Sequence, residues 1–362
     1  MRGVAPDPYH ARVRLGLIPE SLLDRVMLAF GAGPPPAMTE AYAPLHARAI
    51  VAATEMGVFD ALAEGARSAA EVASACGLDA RAAEQLMNLL VSMRYLRYRR
   101  GSYELEKQTR RWMLEDADGG IRDLVLMKRL EWRWIDGLEG YLRTGEPANV
   151  HGTMSPEDWQ TYQRGMRAQA NVGAANLARL LPIPKGAREM LDIGGSHGYW
   201  SVVLCRRHPD LRATVLDLPD AVAHAAPLLE REGMGDRVTL RAGDALNDDI
   251  GTDAYDVILM FSLVHHFDEV TNRRLVARAA AALRPGGRMI ILEPLRAKPG
   301  DGQQGAFFDL YFGLTSESGT WTMDEMRAWQ VDAGLAPRSE PFPLRFIKDF
   351  GLAIADKPAL VD

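Results

Sequence analysis

A change of rhythm near residue 186 constrains this chain more than any other feature. Downstream of it, short apolar runs at 189–193, 213–217, 238–242, 255–261 and 288–293 alternate with stretches of helical spacing. Strands that alternate with helices build a parallel sheet covered on both faces. The expected fold is α/β, a doubly wound, Rossmann-like sheet whose ligand crevice lies at the carboxyl ends of the strands.

The first of these strands runs into Asp192-Ile193-Gly194-Gly195-Ser196-His197-Gly198. Glycines in that turn let a ligand approach the backbone closely. A dinucleotide fingerprint starting at Gly194 would need glycine where Ser196 and Tyr199 stand, so a pyrophosphate reading fails there. The second strand closes on Asp217, 25 residues after Asp192, where a carboxylate can accept hydrogen bonds from both ribose hydroxyls. Asp244 follows the third strand, in position to meet an adenine amino group. Singly, each acid is an ordinary helix cap; together, at successive strand ends, they point to an adenosyl ligand.

At 362 residues the chain exceeds the roughly 250–300 at which one core stops growing, so more than one domain is expected. Pro182-Ile183-Pro184-Lys185-Gly186 marks the main boundary, because two prolines and a glycine disfavour a continuing helix. The division expected is an arm over 1–37, a winged helix over 38–113, a helical linker and pocket region over 114–184, and the sheet domain over 185–362. The arm contains an amphipathic stretch from Ile18 to Phe30 and ends in the helix stop Gly31 to Pro36. In the second segment, Ser68 and Glu71 form a capping-box pattern and Gly77 separates two helices. Arg100-Gly101-Ser102 joins two alternating runs into a hairpin.

A winged helix raises the question of DNA. Arg94, Arg97, Arg99 and Arg100 cluster at the wing, but the helix that would read bases carries Asp79 and Glu84 against Arg81 alone. Its field repels phosphate. With a net charge of −6, neither nucleic acid nor an anionic membrane is the expected partner. Cys76 and Cys205 lie far apart and suggest neither a disulfide framework nor a metal cluster. The N-terminus shows no signal-peptide apolar region, and the longest apolar stretch, Val257 to Val264, falls far short of the ~20 residues of a membrane helix. A cytoplasmic protein with no bound metal is expected.

Asp192 to Gly198, Leu216-Asp217-Leu218-Pro219, Gly243-Asp244, Val264-His265-His266-Phe267 and Leu283-Arg284-Pro285-Gly286-Gly287 occur in that order. Together they resemble the small-molecule O-methyltransferase family that includes the caffeate and hydroxyindole enzymes, over residues 38 to 350. The resemblance implies S-adenosyl-L-methionine as cofactor and a winged helix that serves as a dimerisation domain, hence a homodimer. It implies that Asp192, Gly194, Gly195 and Ser196 hold the methionine end, Asp217 and Leu218 the ribose, and Asp244 and Ala245 the adenine, with Phe261 beside them. His265 matches the family's base and Glu293 the first of its two flanking glutamates. Ser196 stands where the family has glycine, His266 where it has an acid and Phe267 where it has tryptophan. The second glutamate belongs to a stretch that reads here Ser318-Gly319-Thr320-Trp321-Thr322, without an acid.

A phenol, with a pKa near ~10, is a poor nucleophile until deprotonated, and a histidine oriented by a carboxylate can take its proton at neutral pH. Trp134, Met166, Phe308 and Phe312 match pocket positions and, with His266, suggest a small aromatic or apolar acceptor. The expected activity is methyl transfer to a hydroxyl of such a metabolite. Methylation of carbon or nitrogen, as in an indole, is the alternative within enzymes; an adenosylmethionine-binding regulator is the alternative outside them.

Overall fold

The computed structural model describes residues 22–30, 36–117, 119–299, 303–338 and 350–359. Residues 1–21 of the arm and Gly31 to Pro35 of the helix stop lie outside the described residues. The chain forms two compact units that divide between Arg129 and Leu130.

The N-terminal unit contains α1 (Leu22–Ala29), α2 (Pro36–Glu40), α3 (Ala43–Glu55), α4 (Ala69–Cys76), α5 (Ala80–Ser92), the hairpin β1 (Leu96–Arg99) and β2 (Ser102–Leu105), and α6 (Lys107–Trp112). Ser68 and Glu71 make the reciprocal capping box that starts α4. Gly77 ends it with φ +65°, a conformation that admits glycine cheaply. Phe59, Leu62, Val72, Met87, Leu90 and Leu96 form the core of this unit. The helix α7 (Arg122–Ile135) runs across the division between the units.

The second unit begins with α8 (Leu138–Thr144), α9 (Pro156–Asn171) and α10 (Ala174–Leu180). The sheet follows: β3 (Glu189–Ile193), α11 (Tyr199–Arg207), β4 (Arg212–Asp217), α12 (Pro219–Arg231), β5 (Val238–Ala242), β6 (Tyr255–Phe261), α13 (Glu269–Ala282) and β7 (Leu283–Pro294). Then come α14 (Gln303–Thr315), α15 (Met323–Asp332), β8 (Ala336–Pro337) and β9 (Phe350–Asp356). The strand order is β5-β4-β3-β6-β7-β9-β8. Strands β3 to β7 are parallel, whereas β9 runs antiparallel to both β7 and β8.

Both faces of the central strands are buried, which is why they read as unbroken apolar runs. Val257 and Leu259 pack into one layer and Ile258 and Met260 into the other. Burying each such side chain contributes about 1.5–3 kcal/mol. The last strands depart from the sequence expectation. β7 starts at Leu283 rather than Arg288, because Leu283 pairs with Tyr255 before a register shift. The strand pair β8 and β9 was not anticipated; it covers the β7 edge.

Chain connections reverse between β3 and β6, with β4 on one side of β3 and β6 on the other. In open α/β sheets a crevice opens at such a switch point, outside the carboxyl ends of the strands.

Candidate active site

A cavity of about 1090 Å³ lies at this crevice. The turn after β3 forms one wall. Gly194 has φ +68°, and a Cβ there would lie 2.6 Å from Leu263 Cδ1; one on Gly195 would lie 2.6 Å from Asp192 Cγ and 2.8 Å from Val215 Cγ1. A side chain at either position would force these neighbours to shift, and both glycines line the cavity.

Asp217 closes β4. Its Oδ2 accepts the Ser196 amide at 2.7 Å and its Oδ1 the Leu218 amide at 2.8 Å. Burial pushes its pKa up, against the pull of those two amides. Asp192 is 1% exposed and accepts the Ser201 hydroxyl at 2.7 Å. Burial raises its pKa to about 7. Asp244 caps its own turn: Oδ1 accepts the Leu246 amide and Oδ2 the Asn247 side chain. Each carboxylate oxygen in these acids has a second lone pair beyond the bonds named.

The cavity wall contains all nine residues expected around the cofactor: Asp192, Gly194, Gly195, Ser196, Asp217, Leu218, Asp244, Ala245 and Phe261. Of the expected acceptor residues, Met166, Phe308 and His266 line it too. Trp134 packs instead with Leu130 and Val150, and Phe312 lies flat on His265, with ring centroids 3.8 Å apart. The cavity also receives His151, Trp159, Tyr162 and Gln163, which the sequence reading did not single out. The only sequence signal for the last three is helical spacing, shared with any packed helix, and His151, on a short turn before α9, has none.

His265 sits on a short turn after β6, and four groups hold that turn. Glu293 Oε1 accepts the amides of Leu263 and Val264; Asn272 Nδ2 donates to the carbonyls of Val264 and Phe267. Trp321 Nε1 donates to Val264 O at 3.0 Å and Ser318 Oγ to Phe267 O at 2.5 Å. Thus the stretch that lacks the second glutamate supplies an indole and a hydroxyl that fix the histidine turn. Glu293 Oε2 stands 2.8 Å from His265 Nδ1, and both side chains are buried. A carboxylate only accepts, so Nδ1 carries the hydrogen and Nε2 remains the basic nitrogen.

His266 and His151 extend the imidazole cluster, with ring centroids 4.2 Å from His265 to His266 and 5.0 Å from His266 to His151. Ser316 Oγ lies 3.1 Å from His266 Nδ1. Burial, then the neighbouring imidazoles, hold His266 well below its ordinary pKa and His151 at about 4. Both are neutral at physiological pH. Among the described residues no cluster of three or more His, Cys, Asp or Glu is arranged to hold a metal ion, and no helix is long and apolar enough to cross a membrane.

Fold and crevice together define a doubly wound α/β domain with its cavity at the switch point of the sheet. The O-methyltransferase domain family matches residues 140–335, and the O-methyltransferase dimerisation domain family matches residues 44–115. The chain belongs to the S-adenosylmethionine-dependent O-methyltransferase family and is a methyltransferase that uses S-adenosylmethionine. The 3-hydroxy-5-methyl-1-naphthoate 3-O-methyltransferase of Streptomyces sahachiroi is 29% identical over 304 residues, 79% of this chain and 84% of that one. The phenazine-1-carboxylate N-methyltransferase of Pseudomonas aeruginosa is 26% identical over 257 residues, 68% of this chain and 75% of that one. An L-tyrosine C(3)-methyltransferase of Streptomyces lavendulae is 30% identical over 171 residues, 46% of this chain and 45% of that one. The fold is shared with human N-acetylserotonin methyltransferase in complex with S-adenosylmethionine, at a TM-score of 0.78 and 18% identity, covering 94% of this chain and 99% of that one. Relatives therefore methylate oxygen, nitrogen and carbon, and S-adenosylmethionine is the cofactor of the family. The glycine wall, where a Cβ would force its neighbours to shift, and the carboxylate at the end of β4 fit that cofactor.

Proposed function

We propose that this enzyme methylates a hydroxyl group on a small aromatic acceptor, with His265 as general base and Glu293 as its orienting partner. The observation that carries the reading is the 2.8 Å contact between Glu293 Oε2 and His265 Nδ1, which leaves Nε2 as the basic nitrogen of a buried histidine that lies directly behind the cavity-lining His266. S-adenosylmethionine, when bound, supplies a methyl group on a sulfonium centre. The glycine turn and Asp192 hold its methionine end, Asp217 and Leu218 its ribose, and Asp244 and Ala245 its adenine, with Phe261 alongside. Holding the acceptor oxygen in line with that methyl supplies much of the rate through orientation. His265 removes the hydroxyl proton as the new bond forms. Met166, Phe308 and His266 form the acceptor wall, with Phe312 setting the plane of the His265 ring and Trp134 supporting the wall from behind. The acceptors named for the naphthoate and phenazine relatives support an aromatic one here.

The same proposal keeps the chain division of an arm to 37, a dimerising winged helix over 38–113, a pocket-forming helical region over 114–184 and a cofactor domain from 185, and a homodimer in the cytoplasm. Methyl transfer from methyl-labelled S-adenosylmethionine to a panel of phenols, indoles and aromatic amines, read by product mass and position, tests the chemistry. Label found on carbon or nitrogen, at a rate unaffected by His265→Ala, overturns the hydroxyl reading in favour of the C- or N-methylating one.

A further inference from the structure

Ser196 has φ +50°, a backbone conformation that favours glycine, at the place where the family pattern has glycine. A side chain held there costs on the order of 1 kcal/mol, so something offsets it. Its hydroxyl donates to Gln163 Oε1 at 2.7 Å. Gln163 is fully buried on α9, and its other bond, from Nε2 to Ala221 O, is long at 3.5 Å. The Ser196 amide meanwhile donates to Asp217 Oδ2 at 2.7 Å. A hydrogen-bonded line thus runs from the end of β4, through the turn after β3, into α9. That helix presents Trp159, Tyr162 and Met166 to the same cavity, and the Trp159 ring stacks on His151.

We propose that Ser196 and Gln163 are a positioning pair that couples the cofactor turn to the acceptor wall, so that filling the turn orders α9 and the cofactor binds before the acceptor. The proposal rests on the reading that the turn after β3 holds the cofactor. Physically, a turn free to fluctuate passes its motion to α9 through the one short bond Gln163 makes. A ligand that stills the turn stills the helix, and an acceptor arriving afterwards meets a wall already ordered. A purely structural bond would instead protect α9 equally with and without ligand.

Hydrogen exchange over residues 156–171, with and without S-adenosylhomocysteine, separates the two. In the wild-type chain the ligand slows exchange in this segment by about tenfold. Ser196→Gly keeps the amide to Asp217, relieves the backbone and deletes the hydroxyl. With S-adenosylhomocysteine at a saturating level set by calorimetry on this variant, the ligand slows α9 less than about twofold. Gln163→Ala gives the same loss in α9, and Gln163→Glu, which still accepts from the hydroxyl, restores most of the slowing. Undiminished slowing in Ser196→Gly overturns the proposal, as does a wild-type chain that binds the ligand without any change in α9. So does a Ser196→Gly or Gln163→Ala chain whose α9 exchanges faster by the same factor with and without ligand, since that marks a structural bond. Failure of the wild-type chain to bind S-adenosylhomocysteine at all defeats the cofactor reading itself, and this coupling with it.

Discussion

Glu293 uses its two oxygens for different tasks: Oε1 takes the amides of Leu263 and Val264, and Oε2 takes Nδ1 of His265. Strand and histidine turn are thereby fixed to each other. His265→Ala should lower kcat about 10²- to 10⁴-fold on a phenolic acceptor and leave cofactor affinity intact, as a general base does. Activity should recover as pH rises toward the phenol's own pKa of ~10. Glu293→Gln should cost nearly as much. Its amide oxygen is claimed by the two backbone donors, so its NH₂ faces Nδ1 and forces the proton onto Nε2, the wrong tautomer for a base. Wild-type kcat in either variant at neutral pH would remove His265 from the base role.

Asp217 supports the turn by holding the Ser196 and Leu218 amides, and the proposed function makes it the ribose acceptor as well. Asp217→Ala should weaken S-adenosylhomocysteine binding by at least about tenfold, the loss expected when hydrogen bonds to a charged acceptor vanish. In thermal melts, S-adenosylhomocysteine at 100 times its Kd should stabilise the wild-type protein by about 2.7 kcal/mol and NAD should not. Equal affinity of wild type and variant in calorimetry would free Asp217 of this role.

The buried imidazoles set an acid limit on stability. His151 has a folded pKa of about 4 against an ordinary 6.5, so between those values the unfolded chain binds a proton that the folded chain refuses. Its contribution to stability is therefore intact above pH 6.5, falls as the pH drops, and is fully lost below about 4. The size is roughly 3 kcal/mol. His197, held at about 3 by burial, acts in the same direction. Asp192 opposes them: its folded pKa of about 7 lies above the ordinary 3.8, so it gains stability as pH falls through 7. Urea melts of His151→Gln at pH 6.5 and 4.5 should show a smaller acid-side loss than wild type. An identical loss would show that His151 titrates normally.

Met38, Tyr42 and Leu45 are 51%, 60% and 65% exposed in the N-terminal unit, and Leu22, Leu23 and Phe30 of the α1 region are also exposed. Leu45 lies in the segment matched to a dimerisation family and the others precede it, and an apolar run of this kind beside such a segment should be covered by a second copy. Light scattering at micromolar concentration should give twice the chain mass. Leu45→Glu should shift the equilibrium toward monomer, and a wild-type protein that scatters as a monomer would refute the pairing.

The parallel strands were legible because burial on both faces leaves an unbroken apolar signature, as in Tyr255–Phe261, and their matched ends placed Asp217, His265 and Glu293 in sequence order. The antiparallel strand at Phe350–Asp356 was not. It is added to the sheet long after the alternation has ended, so no rhythm leads to it. His151 and Gln163 were illegible for a different reason. They reach the cavity from a turn and a helix that precede the sheet, and only tertiary packing decides which face of α9 looks inward.

That late strand also governs when the surroundings of Glu293 are complete. Glu293 pairs with Gly351, and β7 lies beside β9 along Arg288 to Pro294. During synthesis His265 and Glu293 therefore leave the ribosome well before the strand that covers the β7 edge. Until residue 356 has emerged, β7 is a bare, sticky margin of Ile290, Ile291 and Leu292, open to pairing with another nascent chain. The carboxylate beside His265 thus stays on an open edge until the chain has emerged through residue 356.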